Sequence, residues 1–167
     1  MGMTANDVID LYANLENLDI KVWVDGGWGV DALLGKQTRF HEDLDIAVEA
    51  KHVPRLREFL KAKGYEQSKE DSEWNFVLRD RNGREIDVHS FTFDEEGNVF
   101  EGIPYPTGSL TGTGTIEGKP VRCIAPEWVV KLHSSGYTLQ EKDFKDVFAV
   151  CEKFGLELPE GWDSLIA

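Results

Sequence analysis

Two short stretches constrain this chain more than any others. In Asp43-Leu44-Asp45-Ile46-Ala47-Val48, and again in Glu85-Ile86-Asp87-Val88-His89, apolar and polar residues alternate. A period of two marks a β-strand, in which successive side chains point to opposite faces. Leu44, Ile46 and Val48, then Ile86 and Val88, face a core. Asp43 and Asp45 project together from the other face, as do Glu85, Asp87 and His89. Two solvated aspartates on a half-buried edge strand would show the same alternation. The second stretch breaks that tie, because with the two strands adjacent Asp87 joins Asp43 and Asp45. Like charges so close are unfavourable without a compensating cation. Mg²⁺ suits carboxylate oxygens together with substrate phosphates, and three carboxylates on neighbouring strands suit a two-metal phosphoryl-transfer centre. Asp87 is also a candidate to accept a hydroxyl proton.

A second signal precedes the first. In Val22-Trp23-Val24-Asp25-Gly26-Gly27-Trp28-Gly29 an apolar strand runs into paired glycines and then a helix. Glycine lets backbone amides approach a ligand, and a helix start offers aligned N–H groups to phosphate. Alone the pattern is weak, since strand–glycine–helix corners also occur as plain structure.

The remaining pattern predicts an α/β (α+β) fold: a mixed sheet with helices packed on it. A helix capped by Thr4 carries the stripe Val8, Ile9, Leu11, Tyr12 and Leu15. A strand covers 20–24, a short helix 28–34 and a second helix 52–63. Strands 74–78 and 85–91 form a hairpin through Asn82-Gly83. Residues 94–118 read mostly as loop, with a hairpin turning near Gly118 into Val121–Ile124. Helices over about 126–135 and 141–154 close the chain. We therefore expect a single domain, with a catalytic α/β part at 1–124 and a helical part at 125–167.

The chain has 167 residues and a net charge of −13. That balance disfavours nucleic acid as a partner and favours a cationic small molecule. Two distant cysteines give neither a disulfide framework nor a zinc site. No signal segment or membrane-length apolar run is visible, so we expect a cytoplasmic protein without membrane association.

Gly26-Gly27-Trp28, Asp43-x-Asp45 and a lone Asp87 on a later strand resemble the signature of the polymerase-β-like nucleotidyltransferase superfamily. Trp23-Val24-Asp25-Gly26-Gly27-Trp28-Gly29-Val30-Asp31 and Thr38-Arg39-x-His41-x-Asp43-x-Asp45 are similar to its small antibiotic-modifying branch, the lincosamide nucleotidyltransferases and aminoglycoside adenylyltransferases. The similarity resumes at Val121-Arg122-Cys123 and His133-Ser134-Ser135-Gly136-Tyr137 and ends at Lys142-Asp143-Phe144-Lys145-Asp146. Many superfamily members carry serine after the glycine pair; Trp28 stands there, as in that branch. The resemblance implies a nucleotidyltransferase fold. It implies transfer of a nucleoside monophosphate from a nucleoside triphosphate, ATP first among them, to a hydroxyl of an antibiotic, with release of pyrophosphate. It makes Asp43 and Asp45 metal ligands, and Asp87 the third ligand, the general base, or both. Gly26 and Gly27 cradle the triphosphate. Arg39 and His41 reach phosphate or brace the site, and Lys142 assists from the last helix. It also implies a homodimer. In the loop after the third carboxylate, Glu101 and Tyr105, with Asp146, are candidates to line the acceptor pocket. Two alternatives stay open. One is the same chemistry on a protein, a tRNA end or a metabolite. The other is a catalytically silent nucleotide-binding module, which retention of all three carboxylates disfavours.

Overall fold

A computed structural model describes residues 2–165, and their strands join in one mixed sheet. The elements, in chain order, are α1 (Ala5–Asn17), β1 (Val22–Asp25), α2 (Gly26–Leu34), β2 (Asp43–Glu49), α3 (Val53–Ala62), β3 (Glu66–Ser72), β4 (Asn75–Arg79), β5 (Glu85–Phe93), β6 (Val99–Gly102), β7 (Gly112–Ile116), β8 (Lys119–Cys123), α4 (Pro126–Leu132) and α5 (Glu141–Phe154). The sheet order is β3-β4-β5-β2-β1-β8-β7, with β6 added to β5. β2 runs parallel to β5 and antiparallel to β1, and β1 runs parallel to β8.

Alternation along the strands builds two unlike faces. On one, Val22, Val24, Leu44, Ile46, Ile86 and Val88 are buried. Helix α1 covers part of that face, with Val8 and Leu15 closing a narrow gap against Val22, Val24, Leu44 and Ile46. Each such side chain, fully buried, contributes about 1.5–3 kcal/mol. The helix starts where Thr4 and Asp7 bond each other's backbone amides, a reciprocal cap. The opposite face is aromatic at one end, where Trp23, Phe91, Phe93 and Tyr105 pack with ring centroids 4.8–6.2 Å apart. Its other end is acidic.

Helix α5 belongs to the same core, burying Val147, Val150 and Cys151. Lys153 near its end donates to the Leu33 carbonyl of α2 at 2.6 Å, and Gly155 closes it at φ +66°. This contact ties the end of α5 to the end of α2.

Three differences from the sequence reading have physical causes. Strand β3 has no apolar alternation to read, because all seven residues are exposed on the sheet edge. Its backbone pairing with β4 alone makes it a strand. Strands β6 and β7 lie in the stretch read as mostly loop. The glycines of β7 reflect close approach rather than flexibility: a Cβ on Gly114 would stand 2.3 Å from the Ala32 carbonyl oxygen of α2. Finally, α2 begins at Gly26 instead of Trp28, so the glycine pair forms the first helical turn. Gly114→Ala should therefore force β7 off α2 and destabilise the protein by about 1–3 kcal/mol, as read by denaturant unfolding; an unchanged midpoint would contradict this packing.

Candidate active site

Register places the acidic residues in rows. Asp25 of β1 pairs with Asp45 of β2, and Asp45 pairs with Asp87 of β5. Three carboxylates thus stand side by side on three adjacent strands. Asp43 lies one row away, opposite Glu85. His89, two residues after Asp87, shares its face and reaches back. Its Nε2 is 3.5 Å from Asp45 Oδ1 and 3.6 Å from Asp87 Oδ1. Asn75 of β4 donates to Asp87 Oδ1 at 2.6 Å and to the Val88 carbonyl at 3.1 Å, which fixes the Asp87 side chain.

Among the described residues, one ligand atom each from Asp45, Asp87 and His89 lies within 4.8 Å of the others. The sequence reading joins Asp43, Asp45 and Asp87. The structure keeps Asp45 and Asp87 together, adds His89, and leaves Asp43 at the margin. His89 is visible in the sequence as a member of the outward alternation. Asn75 and Asp25 are not, because only strand register brings them to the site.

The electrostatics fit a cation. Burial, and then the charges of Asp43 and Asp25, push the Asp45 carboxyl up to about 6 despite a hydrogen bond from His89. Burial also raises Asp87, against His89 and Asn75, which favour its ionised form. Burial lowers His89, but its bond to Asp45 and the charges of Asp87, Asp25 and Asp45 outweigh this and raise it. A dense carboxylate set with one imidazole and too little positive charge is a donor set suited to a divalent ion.

The glycine corner abuts this set. Asp25 ends β1 and caps α2, its Oδ1 accepting the Gly26 amide at 2.8 Å. Gly26 has φ +58°, and a Cβ there would lie 2.1 Å from Asp45 Oδ2. Only glycine tolerates both the conformation and the neighbour. A Cβ on Gly27 would lie 2.6 Å from both Arg39 Nη2 and His41 Nδ1.

Behind Gly27 runs a brace. Asp31, buried in α2, accepts from the Thr38 amide at 3.0 Å and its hydroxyl at 2.6 Å, and pairs with His41 Nε2 at 2.6 Å. His41 Nδ1 is 3.2 Å from Arg39 Nη1. A guanidinium has only donors, so Nδ1 accepts and Nε2 donates to Asp31. Arg39 Nη2 reaches Asp146 Oδ2 of α5 at 3.3 Å. His41, itself buried, thus holds Arg39 in place. Trp28 is buried and its ring packs on His41 at 4.6 Å. Lys142 is exposed on α5 and, with Thr38, Arg39 and Asp146, lines a cavity of about 410 Å³.

The structure separates the three residues assigned to an acceptor pocket. Tyr105 is buried, and its hydroxyl donates to Asp25 Oδ2 at 2.8 Å. Asp146 is buried against Arg39. Glu101 is exposed but pairs with Thr92, on the face opposite Asp87. The loop reading could not foresee this, because β6 adds its own alternation. Asp94, by contrast, makes an ordinary hairpin turn, accepting from the amides of Glu96 and Asn98.

A mixed sheet with carboxylates on neighbouring strands beside a helix-starting glycine pair defines a nucleotidyltransferase of the polymerase-β-like class. Residues 7–150 match the model of the aminoglycoside-2''-adenylyltransferase family, and the chain belongs to that family. It is 30% identical over 146 residues to a lincosamide resistance protein of Staphylococcus haemolyticus, covering 84% of this chain and 88% of that one. It is 25% identical over 120 residues to a 2''-aminoglycoside nucleotidyltransferase of Klebsiella pneumoniae, covering 72% and 67%. The crystal structure of the lincosamide antibiotic adenylyltransferase LnuA, with lincomycin bound, superposes with a TM-score of 0.78 at 25% identity, over 89% of this chain and 96% of that one. The crystal structure of ANT(2'')-Ia with adenylyl-2''-tobramycin shares the fold, with a TM-score of 0.72 at 21% identity, over 90% and 89%.

Asp45 has a consequence for stability. A carboxyl displaced from 3.8 to about 6 costs the folded state on the order of 2–3 kcal/mol once ionised. The cost is absent below the unfolded value of 3.8, grows as pH rises to about 6, and is constant above. Asp45→Asn should therefore stabilise the metal-free protein at pH 7 and have little effect at pH 3.5. Unfolding midpoints at the two pH values test this, and an equal effect at both would refute the assigned cost.

Proposed function

We propose that the protein transfers a nucleoside monophosphate from a nucleoside triphosphate, ATP first among them, to a hydroxyl of an amine-bearing antibiotic, a lincosamide before an aminoglycoside. The observation that carries the reading is the contact between the carboxylate centre and the glycine corner: Asp45 leans over Gly26, the first residue of α2. The higher identity to the lincosamide resistance protein supports that order of acceptors. A net charge of −13 suits a cationic acceptor.

Each group has a task in this reading. Asp45 and Asp87, with Asp43 and His89 beside them, hold Mg²⁺, which when bound supplies charge neutralisation at the phosphates and activates the attacking hydroxyl. Asp87, fixed by Asn75, takes the proton from the acceptor hydroxyl. The amides of Gly26 and Gly27 and the guanidinium of Arg39 bind phosphate oxygens, with bidentate contact open to Arg39. His41 and Asp146 aim Arg39 rather than touch phosphate. Lys142 faces the same cavity and adds positive charge. We place the enzyme in the cytoplasm, where its donor resides, as a homodimer.

Mass spectrometry of reactions with Mg²⁺, mixed nucleoside triphosphates and lincomycin or tobramycin tests the proposal. A product heavier by one nucleoside monophosphate is expected. Pyrophosphate release in cell extract without an adduct on either drug would move the acceptor to another molecule. Asp45→Ala and Asp87→Asn should each lower kcat about a thousand-fold or more with the fold retained; near-normal turnover in either would overturn its role. Because Asp45 protonates near 6, Mg²⁺ affinity should fall as pH drops from 7 to 5, and calorimetry showing equal affinity at both would contradict its part in metal binding.

A further inference from the structure

Tyr105 and Asp25 are joined by a half-buried hydrogen bond that the proposed chemistry does not use. The Tyr105 hydroxyl donates to Asp25 Oδ2 at 2.8 Å across 80 positions of sequence. The other oxygen of the same carboxylate accepts the Gly26 amide at 2.8 Å. One side chain thus links two segments. On one side is the glycine corner, where Gly26 lies under the Asp45 carboxylate. On the other is the chain leaving β6, anchored where Ile103 donates to the Ser90 carbonyl of β5 at 2.9 Å. The Tyr105 ring packs edge-on against Phe91 of β5, centroids 5.6 Å apart. Phe91 lies on the same strand and face as Asp87 and His89.

We propose that Asp25 is a positioning residue of the transfer reaction, coupling the nucleotide-binding glycine corner to β5 and the segment after β6 through Tyr105. Asp25 shares a row with Asp45 and Asp87, yet it stands outside their cluster of ligand atoms. Both its oxygens are engaged by the protein. Its work is to hold Gly26 at a fixed place relative to Asp45, so that phosphate bound by the corner amides meets the carboxylate centre at a set distance. Sub-ångström placement of this kind is worth large factors in rate. Tyr105 in turn holds Asp25. Without its hydroxyl, Oδ2 would lose its partner and the carboxylate would be free to turn away from the Gly26 amide.

The proposal rests on the nucleotidyltransferase reading for its kinetic consequence but not for its structural one, so the test has two arms. The first is amide hydrogen exchange of residues 26–28 in the metal- and nucleotide-free protein. Tyr105→Phe should speed exchange there about tenfold, the loss of one well-made hydrogen bond, with residues 44–48 of β2 unaffected. The second arm is kinetic, with ATP, Mg²⁺ and lincomycin. Asp25→Ala should raise the KM for ATP at least tenfold. Asp25→Asn keeps an oxygen for the Gly26 amide and should restore most of that loss. A merely structural role would lower the active fraction, and so kcat, without moving KM or being rescued by asparagine. Unchanged exchange at 26–28 in Tyr105→Phe overturns the coupling whether or not lincomycin is a substrate. An unchanged KM for ATP in Asp25→Ala, or equal impairment in Asp25→Asn, overturns the positioning role. Absence of any product from the wild-type protein would count against the lincosamide reading alone, leaving the exchange arm to decide the coupling.

Discussion

Carboxylates of Asp25, Asp45 and Asp87 stand in one row across β1, β2 and β5, and their mutual repulsion is the constraint to which the surrounding structure answers. Strand register enforces the row, since each backbone ladder is locked by the apolar face beneath it. Shifting any of these strands by one residue would turn Leu44 or Ile86 out of the core. The repulsion is moderated locally. His89 places an imidazole between Asp45 and Asp87, Asn75 donates to Asp87, and Asp25 is occupied by the Gly26 amide and Tyr105. What is left over is a centre short of positive charge, which is the condition for taking up a cation.

Beside this centre the protein holds a guanidinium in a fixed place. Arg39 is held from two sides, by His41 backed by Asp31, and by Asp146 from α5. An arginine left free in the cleft would fall onto the acidic row and neutralise it. The brace keeps Arg39 over Gly27 instead, at the start of α2. This gives a task to Asp31 and Asp146, two of the buried acids on the helices that flank the glycine corner. It also explains why the final helix is part of the site: α5 supplies Asp146 and stays in place through Val147, Val150 and Lys153.

Much of this was legible in the residues themselves. The two alternating stretches yielded the central strands and the core face, and put Asp45 and Asp87 on the other face. The glycine pair after Asp25 located the helix corner, and Thr4 marked a helix start at which a cap indeed forms. One strand went unread: β3 is polar throughout and carries no period that local pattern can reveal, whereas β7 and β8 form the hairpin expected to turn near Gly118. Tyr105 was a candidate for the acceptor pocket on its place in the loop, and the structure gives it a bond to Asp25 that the sequence did not show. Its partner is 80 positions away, and no local pattern encodes such a contact.

The sequence by itself determined which residues form the central strands, which of their faces is apolar and which acidic, because a period of two assigns each side chain to a face without reference to anything distant. It also determined that a glycine pair would stand between a strand and a helix. Only the tertiary structure decided which acids meet. Parallel pairing of β2 with β5 set Asp87 beside Asp45 and left Asp43 beside Glu85, and the fold of β4 and of the segment after β6 brought Asn75 and Tyr105 to that row. Register and long-range closure are set by the packing of the whole sheet against its helices, so they lie beyond what any single stretch of sequence can specify.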